Sequence, residues 1–276
     1  MSKTFKDVSI GQGKTFIIAE AGINHNGKLE LALKLVDAAK ESGANAIKFQ
    51  TYKTEQRVAA DSPIFSLLKQ CELSDDQQRK IKEHADKVGI LFFSTPFDTE
   101  SLDFLQTLEV PLMKIASFDI VNTKLLEAVA KTQIPTIISR GMADTKEIDA
   151  AVAIFKNHQA PFALLHCISA YPTPKEDTNL LAIQSLKAAY DCPVGYSDHT
   201  LDLDASVYAV AVGARIIEKH FTLARDMEGP DHKMSVDPAS LKVLSQRIRE
   251  LEQMLGKGEL ESMPAEEGTR VYRRPS

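Results

Sequence analysis

The stretch FIIAEAGINHNGKLELALKLVDAAKESGANAIKFQTY, residues 16–52, sets the pattern of the whole chain. It begins with a short, nearly continuous apolar run, FIIAEAG (16–22), and continues through a helical pattern, LELALKLVDAAKES (29–42). It ends with a second apolar run, AIKFQTY (46–52). Runs of this kind are typical of strands in a parallel sheet that is buried on both faces. The stretch therefore predicts a strand–helix–strand unit.

Six further runs of the same kind make eight strand candidates in all: ILFFSTPF (90–97), LMKIAS (112–117), TIISRG (136–141), FALLHCIS (162–169), PVGYSDH (193–199) and IIEKHFT (216–222). Helical patterns lie between most of them, at 76–89, 123–132, 145–157, 180–190 and 203–213, and one more follows at 238–255. Alternating strands and helices imply parallel strands joined by right-handed crossovers. Eight such units favour an α/β fold of the closed (β/α)8 TIM-barrel type over an open doubly wound sheet.

The length of the chain agrees with one such barrel. A TIM barrel takes roughly 250 residues, and this chain has 276. We predict a single TIM-barrel catalytic domain over residues 1–276, with a core at about 15–255 and a C-terminal extension at 256–276. Residues 53–75 form a longer insertion after the second strand.

Composition limits the partners and the compartment. The net charge of −5 argues against a nucleic-acid or anionic-membrane surface, so an anionic substrate needs a local cluster of Lys or Arg. The three cysteines, at 71, 167 and 192, form no CxxC pattern, which fits a reducing cytoplasm. The polar start is unlike a secretory signal, and no apolar run approaches the roughly 20 residues of a membrane span.

Polar side chains gather at the ends of the strand candidates. They are Glu20, Lys48, Gln50, Ser94, Thr95, Lys114, Ser117, Ser139, Arg140, Ser169, Ser197, Asp198, His199, Glu218 and His220. In a TIM barrel the carboxyl ends of all strands converge on one face, where the active site is built. The pattern therefore predicts one site at that face.

Side chains on a strand alternate between its two faces, which sharpens the prediction. Lys48 and Gln50 share a face, and Lys219 points toward the helices, away from Glu218 and His220. A lysine that faces the barrel interior is costly unless something pairs with it. Lys48 and Lys114 therefore indicate a bound anion such as phosphate or carboxylate. The alternative is a structural pair that closes the barrel end, such as Lys48 with Glu20.

Two histidines lie at the ends of adjacent strands. His199 and His220 stand beside the carboxylates of Asp198 and Glu218. Two neutral imidazoles with a nearby carboxylate can hold a divalent metal and leave positions open for water and substrate. The alternative is a pair of hydrogen-bonded barrel histidines. His25, in a loop after the first strand, and His166, inside the sixth, are weaker candidates.

Segments in the order IIAEAGINHNG, AIKFQTYK, FFSTPFD, MKIAS, ISRGMA, LLHCISAYPTP, GYSDHT and IEKHFTL…GPDHKMS, from about residue 16 to 240, make the chain resemble the sialic acid synthase family. The resemblance implies a transferase that condenses phosphoenolpyruvate with the open-chain aldehyde of an N-acylated amino sugar. The sugar would be N-acetylmannosamine or a 2,4-diamino relative, and the products a sialic-type (nonulosonic) acid and phosphate. A homodimer is also implied.

The resemblance also implies roles for individual residues. The phosphoenolpyruvate ligands would be Lys48, Thr95, Lys114, Ser117, Ser139 and Ser197. The residues facing the sugar and the water would be Glu20, Gln50, Tyr171, Glu218 and Asp231. His199 and His220 would hold a divalent metal, Mn²⁺ or Mg²⁺. We expect Glu20, Lys48, Lys114 and His220 to be catalytic, with Glu20 as the general base that stays ionised beside the lysines and the metal.

Three features depart from the family pattern. The chain stops at Ser276, where family members usually continue into a small antifreeze-like domain that gives an Arg to the partner's sugar site. Arg140 stands where many relatives carry Thr, and we predict that it adds a cation near the phosphate or partly replaces the missing Arg. Ser169 stands where sialic-type members often carry Asn, which leaves the sugar open.

Two other functions stay open at this point. One is a related barrel that condenses phosphoenolpyruvate with a sugar phosphate, which would want more basic residues than this sequence offers. The other is a barrel that binds ligand but lost turnover together with its cap domain.

Overall fold

A closed barrel forms the centre of the molecule. The computed structural model describes residues 4–11 and 13–274. Within them, eight parallel strands pair in chain order, and the eighth pairs with the first. Strands β1 to β8 are Phe16–Gly22, Ala46–Thr51, Leu91–Pro96, Met113–Ile115, Thr136–Ser139, Phe162–His166, Val194–Asp198 and Ile216–His220. The predicted (β/α)8 barrel is confirmed.

Helices surround the barrel. Helices α1 to α10 are Leu29–Glu41, Thr54–Arg57, Phe65–Cys71, Asp75–Val88, Thr99–Thr107, Thr123–Lys131, Thr145–Asn157, Ala182–Ala189, Asp204–Ala211 and Pro238–Leu255. Every predicted helix is present, with ends shifted by at most two residues. The sequence analysis missed α5, a short helix that Asp98 caps by accepting a hydrogen bond from the backbone N–H of Ser101. It also missed α2 and α3, which lie in the 53–75 insertion.

Several strands end earlier than predicted, at the face where the polar residues gather. β5 ends at Ser139 instead of residue 141, and β6 ends at His166 instead of residue 169. Residues beyond these points leave the strand ladder and enter loops. The loops, and not only the strands, therefore position the polar side chains.

Because side chains alternate between the two faces of each strand, the buried apolar residues form two separate cores. Ile17 packs in the layer between the strands and the helices, whereas Ile18 points into the barrel. The inward cluster also includes Phe5, Val8 and Ile10 from the N-terminal segment, which pack against the inward residues at the start of the strands. This apolar layer closes the amino-terminal end of the barrel and leaves the carboxyl end to polar side chains.

The barrel interior is tight enough to require a glycine at position 195. A Cβ there would lie 2.3 Å from the carbonyl oxygen of Ile216 and 2.6 Å from Cδ2 of Leu165. Both neighbours belong to adjoining strands, so neither can move without disturbing the barrel.

The prediction that Asp198 stands beside the metal site is wrong. Asp198 lies on the outer face of β7, where Oδ2 accepts hydrogen bonds from Nζ of Lys219 at 2.8 Å and from Oγ of Ser206 at 2.6 Å. Alternation explains this, because Ser197 and His199 both face inward and the residue between them faces out. The Lys219 side chain points outward as predicted.

The segment after α10 lies on the outside. Residues 256–274 include a 3-10 helix, Pro264–Tyr272, and all are exposed. Positions 275 and 276 of the predicted extension lie outside the described residues. Within residues 4–11 and 13–274, no helix combines the length and the apolar character that a bilayer span requires.

Candidate active site

A cavity of about 390 Å³ opens at the carboxyl ends of the strands. The predicted site residues that line it are Glu20, Lys48, Gln50, Thr95, Lys114, Ser117, Ser139, Tyr171, Ser197, His199, Glu218, His220 and Asp231. Its size is within the range of small-molecule sites. Side chains from all eight strands or the loops that follow them therefore meet in one place. Of the polar residues predicted to gather there, Ser94, Arg140, Ser169 and Asp198 do not line the cavity.

A buried cluster of two lysines and two glutamates forms the floor of the cavity. Nζ of Lys48 lies 2.6 Å from Oε2 of Glu20 and 3.8 Å from Oε2 of Glu218. Nζ of Lys114 lies 3.9 Å from Oε1 of Glu218. The pairing of strands places these groups together, because Glu20 is opposite Lys48 across β1 and β2. The Lys48–Glu20 ion pair that we named as the structural alternative is present. The same two side chains could therefore close the barrel end or take part in binding an anion.

Hydroxyl groups complete the surroundings of the two ammonium groups. Lys114 donates to Oγ of Ser139 at 2.6 Å, and Lys48 donates to Oγ1 of Thr95 at 3.3 Å. Oγ of Ser197 donates to Oε1 of Glu218 at 3.0 Å. A group with several oxygen atoms could replace or extend these hydrogen bonds, since ammonium and hydroxyl groups both donate to phosphate and carboxylate.

The two glutamates differ in their affinity for a proton. Burial raises the pKa of Glu20 to about 7, because Lys48 offsets the desolvation only in part and Glu218 adds repulsion. Burial also raises the pKa of Glu218, but Lys114 and Lys48 together outweigh it and hold that pKa below its usual value. A pKa in this range allows Glu20 to exchange a proton near neutral pH. The expectation that the lysines and a bound metal keep it ionised stays a prediction. One buried carboxyl group that exchanges a proton near neutral pH, beside one that stays ionised, is a common arrangement in acid–base catalysis.

The two imidazoles stand side by side on one wall. The rings of His199 and His220 have centroids 5.5 Å apart, and the ring of Tyr171 lies 4.2 Å from that of His199. Burial lowers the pKa of His220 to about 4 and lowers that of His199 as well, so both are neutral at pH 7. Nδ1 of His199 donates to the carbonyl oxygen of Ile168 at 2.6 Å, which leaves its Nε2 as the nitrogen with a free lone pair.

These histidines fit the chemistry of a divalent metal site. Nδ1 of His220 is buried and has no hydrogen-bond partner among the described residues, which is unusual for a polar atom in a protein interior. Neutral imidazoles whose tautomer is set by a backbone carbonyl are the form that binds metals. The described residues hold no group of three or more His, Cys, Asp or Glu side chains that could complete a site. Water or substrate oxygen atoms would have to supply the remaining ligands.

Arg140 lies outside the cavity, which removes its predicted role as a cation near the phosphate. Its Nε donates to Nδ1 of His166 at 3.1 Å, and Nη1 contacts the carbonyl oxygen of Ala143. Since Ser139 faces inward, the next residue turns away. His166 is a buried residue with both nitrogens hydrogen-bonded, because its Nε2 bonds to the carbonyl oxygen of Thr178 at 2.8 Å.

The other weak histidine candidate also lies away from the site. His25 is buried, and its ring centroid lies 5.8 Å from that of Phe49. Its Nδ1 accepts a hydrogen bond from the backbone N–H of Gly27, so it shapes the loop after β1.

The loops after β4, β5 and β6 converge at a glycine. A Cβ on Gly141 would lie 2.3 Å from Cβ of Ser117 and 2.7 Å from Oγ of Ser169. These two hydroxyl groups are 3.0 Å apart and hydrogen-bonded. The glycine therefore allows three loops to close around the same side of the cavity.

Comparison with known proteins identifies the family. The family model described as the NeuB family matches residues 35–260 of the chain.

The chain belongs to the NeuB family.

Several of its relatives are named as synthases of legionaminic, pseudaminic or sialic acids. The N,N'-diacetyllegionaminic acid synthase of Legionella pneumophila is 44% identical over 263 residues, which are 88% of this chain and 74% of that protein. The N-acetylneuraminate-9-phosphate synthase of Homo sapiens is 37% identical, over 93% of this chain and 75% of that protein. The crystal structure of the sialic acid synthetase of Leptospira borgpetersenii in complex with citrate has a TM-score of 0.91 and 45% identity, and the match covers 94% of this chain and 91% of that one. The predictions of the family and of a synthase-type transferase are confirmed.

In this NeuB-family chain, the loop after β8 forms one side of the cavity. Buried His232 bonds to Oγ1 of Thr222 at 2.6 Å, and Asn24 donates to Oγ of Ser235 at 2.9 Å. These contacts hold the loop against the barrel, so that Pro230, Asp231 and Met234 line the cavity.

The sequence analysis of the NeuB-family chain missed several residues at the site. They are Arg57, Phe97, Ala116, Phe118, Cys167, Pro230 and Met234. Alternation along β6 was available as a signal for Cys167, since Ala163 and Leu165 point into the barrel. Arg57 ends α2 within the 53–75 insertion, where no strand pattern exists, and nothing in the sequence pointed to it.

Proposed function

We propose that this protein condenses phosphoenolpyruvate with the open-chain aldehyde of an N-acylated amino sugar, giving a nonulosonic acid and inorganic phosphate. The observation that carries the proposal is the shared cavity of Lys48, Lys114, His199 and His220, four groups from different strands. The chain's relatives include synthases of legionaminic acid, and their names describe products of this class.

The floor of the cavity suits phosphoenolpyruvate. Its phosphate and carboxylate need cations and hydrogen-bond donors, and the floor offers the ammonium groups of Lys48 and Lys114 beside the hydroxyl groups of Thr95, Ser139 and Ser197. Both lysines are buried, so their interaction with an anion is screened little by water. Oε2 of Glu218 has no hydrogen-bond partner among the described residues and could accept from a substrate hydroxyl group or a water.

The reaction that fits these groups joins the two substrates by a carbon–carbon bond, adds water at carbon two of phosphoenolpyruvate and breaks its bond to the phosphate oxygen. Carbon three of phosphoenolpyruvate attacks the aldehyde carbon of the sugar, and the aldehyde oxygen takes up a proton and becomes a hydroxyl group. Water then adds at carbon two. The bond between carbon two and the bridging oxygen breaks, phosphate leaves with that oxygen, and the keto acid remains. The two lysines stabilise the phosphate and the carboxylate throughout.

Glu20 is our candidate for the proton acceptor from the attacking water. A general base works best when its pKa is near the working pH, and the pKa of Glu20 is raised to about 7. Gln50 donates to Oε1 of Glu20 at 3.3 Å and orients the carboxylate.

A divalent metal, manganese or magnesium, would be held by ring nitrogens of His199 and His220. When bound, such an ion supplies Lewis-acid polarisation of an aldehyde oxygen. The neighbouring Tyr171 ring covers one side of the histidine pair and limits the access of water.

Phosphate release across a panel of acceptors tests the proposal. We expect release only when phosphoenolpyruvate, an N-acylated amino sugar and Mn²⁺ or Mg²⁺ are all present, and a free sugar to be preferred over its phosphate ester. A strong preference for the sugar phosphate would favour a related phosphoenolpyruvate–sugar-phosphate enzyme instead. Thermal stabilisation by phosphoenolpyruvate without phosphate release over hours would indicate a binding protein.

A further inference from the structure

Arg57 is a cation of the cavity that the mechanism above does not use. It ends α2, lines the cavity, and is partly buried. No carboxylate of the described residues lies within ion-pair distance of its guanidinium group, in contrast to Lys48 and Lys114. Asp119, Asp231 and Glu20 act on its charge from a greater distance, so its N–H groups stay open to a ligand.

The guanidinium group lies over two aromatic rings. Its Cζ lies 3.8 Å from the centroid of Phe97 and 4.5 Å from that of Tyr52. The two rings meet edge to face, and Tyr52 is fixed because its hydroxyl group donates to the carbonyl oxygen of Leu68 at 2.9 Å. A cation over an aromatic ring is attracted by the electron density of the ring face, and arginine is the side chain most often found in this position.

One hydrogen bond sets the position of Arg57 relative to the proposed base. Nη1 donates to Oε1 of Gln50 at 3.0 Å, and Nε2 of Gln50 donates to Glu20. The remaining N–H groups of the guanidinium have no hydrogen-bond acceptor among the described residues. A partly buried N–H group at the edge of a cavity is stabilised when a ligand supplies a hydrogen-bond acceptor for it.

We propose that Arg57 determines the specificity for the second substrate by binding the carbonyl oxygen of the sugar's acyl-amide group. This inference rests on the proposed function. The phosphoenolpyruvate groups are met by Lys48 and Lys114 on the floor, whereas the guanidinium lies over Phe97. Phe97 and Phe118 are apolar residues that also line the cavity. An acyl group presents both a strong acceptor oxygen and an apolar methyl to such a wall.

The same geometry argues against a phosphate group on the sugar as the partner of Arg57. A phosphate dianion usually takes several cations, and among the described lining residues the only Lys and Arg side chains are Lys48, Arg57 and Lys114. Two of these belong to the floor. A single guanidinium that already shares one N–H with Gln50 matches a neutral carbonyl oxygen better.

Steady-state kinetics of Arg57→Leu test the proposal, with Arg79→Leu as the matched control. Arg79 also rests on a phenylalanine, with its Cζ 5.1 Å from the ring of Phe104, but it lies outside the cavity. Loss of a charged hydrogen bond should raise the KM for the acylated sugar at least about tenfold. The KM for phosphoenolpyruvate should stay close to that of the wild type, and Arg79→Leu should match the wild type in both.

A sugar that carries a hydroxyl group in place of the acyl amide separates recognition from a structural effect. The wild type should discriminate between the two sugars, and Arg57→Leu should not. Equal loss for both sugars, loss confined to phosphoenolpyruvate, or loss seen only with a sugar phosphate would each overturn the proposal. Arg57→Lys keeps the charge without the planar fork, so it should recover only part of the discrimination.

Binding measurements keep the proposal distinct from the proposed function. If the wild type releases no phosphate with any acceptor, the condensation function fails. Calorimetry with the acylated sugar then decides the role of Arg57. Binding to the wild type and not to Arg57→Leu would support it, whereas equal binding to both proteins, or none to the wild type, would overturn it.

Discussion

Replacing Lys48 by Met is the substitution with the best-defined consequence. It leaves Glu20 without the ammonium group that now lies 2.6 Å away, and it leaves Lys114 to balance two buried carboxylates. Breaking a buried ion pair from one side typically costs about 3–5 kcal/mol. In a chain of this size that corresponds to a fall in the unfolding midpoint of roughly 10 °C.

The cost should depend on pH. The pKa of Glu20 is already raised to about 7 by burial, and loss of Lys48 raises it further. A raised carboxyl pKa means that the folded state binds a proton that the unfolded state has released, so this stability is lost as pH rises. The difference between Lys48→Met and the wild type should therefore be small at pH 5, where Glu20 is protonated in both, and large at pH 8.

Thermal unfolding at pH 5 and pH 8, together with phosphate release, would test this reasoning. The double variant Lys48→Met/Glu20→Gln removes the uncompensated carboxylate, so it should regain most of the stability at pH 8 and none of the activity. An equal loss of stability at both pH values would refute the electrostatic account. Recovery of phosphate release in the double variant would refute the proposed role of Lys48.

Three further predictions concern other parts of the molecule. Gly195→Ala should lower the free energy of unfolding by roughly 1–3 kcal/mol, because the barrel interior has no room for a Cβ there. Gly268→Ala is the control, since a Cβ at that position meets nothing within 4 Å. Equal unfolding midpoints for the two variants would contradict this. Asp237 caps α10, so Asp237→Ala should cost about 1 kcal/mol at pH 7 in denaturant unfolding. The cap holds the pKa of Asp237 below its usual value, so its contribution should be lost as pH falls through that lowered pKa, and a cost independent of pH would count against it. Phosphate release should stop on chelation, and also in the variants His199→Ala and His220→Ala. Added Mn²⁺ should restore phosphate release only in the chelated wild type. An unchanged rate of phosphate release after chelation would exclude a role for the metal.

Alternation along strands accounts for most of what the sequence could predict at the site. It placed Lys48 with Gln50 and Glu218 with His220 on the inner face, and all four line the cavity. Where we did not apply the same rule, the predictions were wrong: Asp198 and Arg140 each follow an inward residue and therefore turn outward.

Other features depend on distances that no sequence pattern supplies. The pKa of Glu20 is raised by burial and by repulsion from Glu218, and it is lowered in part by Lys48, whose Nζ lies 2.6 Å away. Arg57 reaches the cavity from an insertion, and its place is fixed by the two aromatic rings and by its hydrogen bond to Gln50. The homodimer stays a prediction, which sedimentation would check.

Tracing carbon three of phosphoenolpyruvate tests the central claim most directly. With that carbon labelled by ¹³C, and with an N-acylated amino sugar and Mn²⁺ present, the label should appear in an acid that contains the carbons of both substrates. Label found only in unreacted phosphoenolpyruvate or in pyruvate would mean that the cavity joins no carbon atoms.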